Sequence, residues 1–120
     1  MTVEQILSKI KFSRTFVRKS EMTSGNEYKI VLSYNGKQAT FAFHDNFENK
    51  SSFKDWIYCL VLDMNAFDYS KDVYDFANSF GYAYEDISKA HKAYNGCKAN
   101  SAKMHRLFTE DELEILSRIE

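Results

Sequence analysis

One stretch near the start of the chain decides the fold: Tyr28-Lys-Ile-Val-Leu-Ser-Tyr-Asn35-Gly36-Lys-Gln-Ala-Thr-Phe-Ala-Phe43. Apolar and polar residues alternate on both sides of Asn35-Gly36, and a period of two is typical of strands with one buried face. Asn-Gly is the strongest short hairpin signal, because both residues accept the positive φ that a type I′ turn needs. The stretch therefore predicts an antiparallel hairpin.

The residues before the hairpin predict one helix and one further strand. Val3, Ile6, Leu7 and Ile10 recur at helical spacing, which predicts a short N-terminal helix. Residues 12–19 alternate loosely and are rich in Phe, Thr and Val, which favours a strand. We therefore expect a small antiparallel sheet that contains the hairpin and a third strand.

After the hairpin the hydrophobic period becomes helical. Ser52, with Asp55 three residues later, forms a capping box. The helix that follows has an apolar face, made of Phe53, Ile57, Leu60, Val61 and Met64. Its opposite side is also largely apolar, with Trp56, Tyr58, Cys59 and Leu62. A helix that is apolar nearly all round predicts a central position in the domain.

Three more helices follow in the pattern. One runs from about Ser70 to Phe80 and ends at Gly81, and a second begins near Glu85. The last opens with the capping box of Thr109 and Glu112 and buries Leu113, Leu116 and Ile119. Strands followed by helices predict a single α+β domain over residues 1–120, with a three- to four-helix layer after the sheet.

Composition restricts the class of protein. The chain has 120 residues, of which 44% are hydrophobic, and this suits one core. It has two cysteines, and its first residues show no signal-peptide pattern, so we expect a cytoplasmic protein with reduced thiols. No apolar run approaches 20 residues, so the sequence predicts no membrane span.

The segment from Asp55 to Asp86 is acidic and aromatic. It holds seven acids against one base, a local net charge of −6 in a chain whose total is −1. Such a segment presents a phosphate-like field to a basic partner, and exposed aromatics supply contact area. The residues expected to contact a partner are Asp55, Asp68, Tyr69, Asp72, Asp75, Tyr84, Glu85 and Asp86. Phe76 and Phe80 are expected in the core instead.

The sequence carries no enzyme signature. It has no Gly-x-Ser-x-Gly, no phosphate-binding glycine loop and no His-Glu-x-x-His motif. Cys59 and Cys97 lie among apolar residues, so we expect buried core thiols without a catalytic role. We therefore predict a protein that is not an enzyme and has no catalytic residues.

Two alternatives remain open at this point. We expect no cofactor, but His44, Cys59, Asp63 and Cys97 would form a tetrahedral zinc set if the helices that carry the two cysteines pack together. Residues 1–30 carry a net charge of +3, which leaves a nucleic-acid-binding regulatory module as the other alternative. That excess is weaker than most nucleic-acid binders show, so direct nucleic-acid binding is not the favoured prediction.

Several runs resemble a family of small bacteriophage and prophage proteins. They are Tyr28-Lys-Ile-Val-Leu-Ser-Tyr-Asn-Gly-Lys37, Phe41-Ala-Phe-His44-Asp45, Asp55-Trp-Ile-Tyr-Cys59-Leu60, Asp75-Phe76-Ala-Asn-Ser-Phe80-Gly81-Tyr82 and Ala93-Tyr94-Asn-Gly-Cys97. The resemblance covers most of residues 26–108, but the residues after Gly81-Tyr82 depart from the family pattern. Some small phage accessory proteins of this kind inhibit host CRISPR nucleases. The resemblance thus implies a host protein partner, a CRISPR effector such as Cas9, whose nucleic-acid loading is blocked by stoichiometric binding.

Overall fold

A computed structural model describes residues 1–21, 25–45, 53–81 and 87–119. The elements within these residues, in chain order, are α1 (Val3–Lys9), β1 (Lys11–Lys19), β2 (Asn26–Tyr34), β3 (Lys37–Asp45), α2 (Phe53–Asp68), α3 (Val73–Ser79), α4 (Ile87–Leu107) and α5 (Glu110–Leu116). The strands form one antiparallel sheet and most helices follow it, so the predicted α+β class is confirmed.

The sheet has the strand order β1-β2-β3. The hairpin closes between Tyr34 and Lys37, and both turn residues have positive φ, 51° at Asn35 and 78° at Gly36. These values are those of the predicted type I′ turn. The third predicted strand is β1, which pairs antiparallel with β2 and contains a bulge between Phe16 and Arg18.

The helices cover one face of β2 and β3. The buried side chains of the strands are Tyr28, Ile30, Leu32, Tyr34, Ala39 and Phe41. Trp56 of α2 packs edge-on against Phe41 and Phe43, at ring-centroid distances of 5.9 and 5.6 Å. Met104 and Leu107 of α4 belong to the same core. The core therefore lies between the hairpin and the helical layer.

Local capping sets several helix ends. The predicted box of Thr109 and Glu112 is present, with the Glu112 N–H donating to Thr109 Oγ1 at 3.2 Å. Asp72 caps α3, and Gly81, which follows that helix, has a φ of 75°. The side chains of Thr109 and Asp72 each accept from an N–H group in the first turn of a helix, where these groups have no partner within the helix. The predicted box at Ser52 lies outside the described residues.

Three predictions about the core are wrong, and one of them is that both cysteines are buried, since Cys59 is exposed and Cys97 is half-buried. Phe80 is exposed, because it follows the short α3 and contacts Phe76 from the outside of the helical layer. α2 is not buried all round, since Tyr58, Cys59 and Leu62 face solvent. One side of α2 packs on the sheet and another on α4, and no described element covers the rest.

No helix in the described part of the chain is both long and apolar enough to cross a membrane.

Candidate functional site

The solvent side of α2 carries an exposed apolar and acidic stripe. Tyr58, Leu62 and Tyr69 are 41%, 47% and 82% exposed, and their spacing of four and seven residues places them on one side of the helix. Tyr69 directly follows α2, and its N–H donates to the Asn65 carbonyl at 3.0 Å, so it continues the helical path. Asp55 lies on the same side in the first turn. We call these four residues the α2 outer face.

The sequence pattern identified only part of this face. Asp55 and Tyr69 were predicted as partner-contacting residues, and both are exposed. Tyr58 and Leu62 were assigned to the core, because an apolar residue has the same sequence signal on either side of a helix. The sequence did contain a signal for their exposure, because both residues lie on the side of the helix opposite Phe53, Leu60 and Met64.

The sequence predicts that Asp68 points into solvent, but the structure shows its carboxylate bonded to two side chains. Ser101 Oγ donates to Asp68 Oδ1 at 2.6 Å, and His105 Nε2 lies 2.7 Å from Asp68 Oδ2. Both partners belong to α4, so Asp68 ties the end of α2 to that helix. The serine and the histidine each bond to the carboxylate and no bond between them is seen, so this cluster lacks the base-activated hydroxyl of nucleophilic catalysis.

Asp72 and Asp75 are also engaged by the backbone. Asp72 Oδ1 accepts from the Asp75 N–H at 2.8 Å, and Asp75 Oδ2 accepts from the Lys71 N–H at 3.0 Å. Both side chains still reach solvent, so both contribute to the negative field of the surface. Their first role in the structure is to begin α3. Tyr84, Glu85 and Asp86, which were also predicted to contact a partner, lie outside the described residues.

The two cysteines lie near the same carboxylate, with Cys97 half-buried beside α2 and Cys59 on the exposed side of α2. That carboxylate is Asp63, whose Oδ2 accepts from Asn100 Nδ2 at 3.1 Å. Burial, together with the Asp63 charge, raises the pKa of Cys97 to about 11. Burial also raises the pKa of Cys59, and the charges of Asp63 and Asp55 raise it further. Protonated thiols are poor nucleophiles and poor metal ligands at neutral pH.

The four predicted zinc ligands are not gathered into one site. His44 Nδ1 is hydrogen-bonded to Ser20 Oγ at 2.8 Å, at the end of the sheet where β1 finishes. In the part of the chain that the structure describes, no group of three or more His, Cys, Asp or Glu side chains is arranged to hold a metal ion. The expectation that α2 and α4 pack together holds, and the packing places Cys97 near Asp63, but His44 lies at the end of the sheet.

A second exposed surface lies on β1. All nine residues of this strand are exposed, among them Phe12 and Phe16. The net charge of residues 1–30 did not predict this surface, whereas the interleaving of aromatic and basic residues along the strand is a sequence signal for it.

No family model, curated protein or solved structure matches this chain. The resemblance to small phage and prophage proteins therefore stays a prediction.

Proposed function

We propose that this chain is a binding protein that acts by stoichiometric contact with another protein, and that the α2 outer face is its contact surface. The observation that carries the proposal is the exposure of Tyr58, Leu62 and Tyr69 along one side of a single helix. Scattered apolar residues are normal on a protein surface, but three large ones aligned along one side of one helix favour an interaction site.

The residue types suit a protein partner. Tyrosine supplies a large contact area, a polar tip and little side-chain entropy to lose, and it is enriched among residues that dominate binding energy. Asp55 at the start of the row and the charged caps Asp72 and Asp75 on the following helix add negative potential. A partner with arginine and lysine side chains around an apolar pocket would complement this face.

The particular partner that we propose is a host CRISPR effector nuclease of the Cas9 type. Support comes from the resemblance to phage accessory proteins and from the acidic segment, whose carboxylates would occupy sites that otherwise bind nucleic-acid phosphates. In this proposal the bound protein blocks nucleic-acid loading, and no covalent chemistry takes place.

The experiment measures target DNA cleavage by guide-loaded Cas9 while this protein is titrated in, with co-elution on a sizing column as a second readout. We expect inhibition that is complete near one equivalent, and a stable complex. Adding the protein before the guide or the target should inhibit more than adding it afterwards, because the proposal places the block at loading.

The diagnostic variant is Tyr69→Ala. Tyr69 is the most exposed residue of the α2 outer face, so its truncation should leave folding intact and weaken inhibition by about tenfold or more. The matched control is Tyr74→Ala, which removes an exposed tyrosine from α3 and should change inhibition much less. Absence of both inhibition and complex would contradict the nuclease partner, and equal effects of the two variants would contradict the α2 outer face.

Asp68 is a poor choice for such a test. Reversing its charge would break the bonds to Ser101 and His105, so a loss of inhibition would report damage to the fold. Tyr69 avoids this ambiguity.

A further inference from the structure

The outer edge of β1 is open. β1 is the first strand in the order β1-β2-β3, and in the described residues only β2 pairs with it. Every second residue of such an edge strand directs its N–H and C=O groups away from the sheet. β3, at the other edge, differs because Lys103 Nζ donates to the Thr40 carbonyl at 2.6 Å. β1 therefore keeps the unpaired main-chain groups that an added strand requires.

The inner face of β1 carries Phe12 and Phe16 with Arg14 between them, and it lies at the margin of the helical layer. Phe12 pairs with Leu32 and Phe16 with Tyr28, and both partners on β2 are buried. Phe12 and Phe16 nevertheless remain 48% and 56% exposed. The helices thus reach the start of β1, where Phe53 of α2 stacks on Phe12, but they leave both phenylalanines about half exposed.

The charge on β1 has one sign. The strand carries Lys11, Arg14, Arg18 and Lys19 and no acidic residue. Arg14 lies over the Tyr28 ring, with its guanidinium carbon 4.6 Å from the ring centroid, so this charge is held close to the inner face. Arg18 is shared with Glu27 of β2, whose carboxylate lies 3.9 Å away, so Lys11, Arg14 and Lys19 are the charges that would favour a negatively charged occupant of this edge.

We propose that β1 accepts an extended acidic segment of a partner protein as a fourth strand of the sheet. Lys11 to Phe16 pair with β2 in unbroken register, and the bulge between Phe16 and Arg18 then interrupts the strand. The docked segment would therefore be about six residues long, or about 20 Å at about 3.3 Å per residue. Main-chain bonds would supply affinity, and the basic and aromatic side chains would select acidic sequences.

A second copy of the chain fits this edge poorly. Antiparallel pairing of two β1 strands would bring Lys11, Arg14, Arg18 and Lys19 of both copies together, and like charges across a strand pair are destabilising. Basic residues and bulges are known means by which edge strands avoid pairing with each other. The same charges that repel another β1 attract an acidic strand.

Nucleic acid also fits less well than a peptide. One face of the Phe12 ring is already stacked on Phe53, at a centroid distance of 4.5 Å and an interplanar angle of 4°, so that face cannot receive a base. The open main-chain edge of β1 pairs with the N–H and C=O groups of another strand, and a sugar-phosphate chain has no such row of groups.

The test uses a fluorescent synthetic peptide of alternating Glu and Val residues, read by anisotropy against the full chain. We expect binding that weakens as salt is added. The same peptide with alternate backbone nitrogens methylated keeps its charge but loses N–H donors on one edge, and we expect it not to bind. Hydrogen exchange should show new protection of main-chain amides in Lys11 to Phe16 when the unmethylated peptide is bound.

Two variants that each lose three positive charges distinguish binding at the β1 edge from attraction of the peptide to the overall charge of the protein. The triple variant Lys11→Gln, Arg14→Gln and Lys19→Gln should bind at least about tenfold more weakly. The control triple Lys54→Gln, Lys92→Gln and Lys98→Gln changes exposed lysines on helices and should bind as the unmodified chain does. Circular dichroism and thermal unfolding establish that both variants are folded.

Four outcomes would overturn the proposal: no peptide binding at millimolar concentration, equal binding of the methylated peptide, equal loss in the two triple variants, or preferential binding of a deoxythymidine oligonucleotide. Concentration-dependent self-association that protects the same amides would also overturn it. This test is independent of the α2 outer face, because it needs neither the nuclease nor Tyr69.

Discussion

β1 and β3 are the two edges of one sheet, yet their environments are opposite. On β3, Phe41 is buried beneath Trp56, and Lys103 and Arg106 of α4 donate to the carbonyls of Thr40 and Gln38. On β1 every residue is exposed, and no described side chain from a helix bonds to its main chain. The difference teaches that the helical layer engages part of the β3 edge, through the carbonyls of Gln38 and Thr40, and leaves the main chain of β1 available for an interaction.

The chain order explains the asymmetry. α2 follows β3 after a short connection, so it packs on the strand from which it came, and α4 then packs beside α2. β1 lies two strands away, at the far side of the sheet. An added strand on β1, or a wider helical layer, would have been needed to bury Phe12 and Phe16.

The largest expected effect comes from truncating one phenylalanine on each edge. Phe41→Ala should lower the free energy of unfolding by about 3–5 kcal/mol, because it opens a cavity under Trp56. Phe16→Ala should cost about 1 kcal/mol or less, since the ring is already half in solvent. Urea unfolding of both variants measures the difference, and similar losses would mean that β1 is covered in solution.

The next effect concerns the attachment of α4, whose side chains protect β3. Asp68→Ala should lower the free energy of unfolding by about 1–3 kcal/mol, because it leaves the buried Ser101 hydroxyl without its acceptor. Asp111→Ala is the control, since it removes an exposed acid from the first turn of α5 at a cost below about 1 kcal/mol. Chemical denaturation of the two variants checks the ranking, and a smaller loss for Asp68→Ala than for Asp111→Ala would contradict the clamp.

The smallest effect concerns the end of β2. Tyr34 is buried, and its hydroxyl donates to Glu112 of α5. Tyr34→Phe should lower the free energy of unfolding by about 1 kcal/mol near neutral pH. The loss is small because Glu112 still accepts a hydrogen bond from the Thr109 N–H. Tyr69→Phe is the matched control, and its exposed ring predicts no change.

The Tyr34 pair also predicts a pH dependence. Burial and the hydrogen bond to Glu112 raise the pKa of Tyr34 to about 12, so its contribution to stability is complete below about pH 10 and is lost as the pH rises toward 12. Burial acts to raise the pKa of Glu112, but the bonds from Thr109 and Tyr34 outweigh it and lower that pKa. The Glu112 contribution is thus complete above about pH 4.5 and is lost as the pH falls through the lower, folded-state pKa.

Thermal unfolding across pH separates the two variants. The unmodified chain and Tyr69→Phe should lose stability above pH 10 by a larger margin than Tyr34→Phe, which has no hydroxyl to ionise at that position. Parallel curves for all three proteins would contradict a buried, hydrogen-bonded Tyr34.

The sequence predicted features that depend on neighbouring residues better than features that depend on residues far apart in the chain. The hairpin and the helix start at Thr109 depend on neighbours within a few residues, so Asn35-Gly36 and the Thr109–Glu112 box were readable. Asp72 was predicted to contact a partner, although its bond to the Asp75 N–H is equally local. The bonds of Asp68 were not readable, because its partners Ser101 and His105 are more than thirty residues away along the chain.

The sequence by itself determined the α+β class, the order of the elements, the turn of the hairpin and the sign of the charge on each segment. Only the tertiary structure decided that Tyr58 and Leu62 are exposed while Trp56 is buried, and that β1 is open while β3 is covered. The reason is physical. Periodicity and turn chemistry are local, whereas exposure depends on how far a helical layer of limited width extends across the sheet.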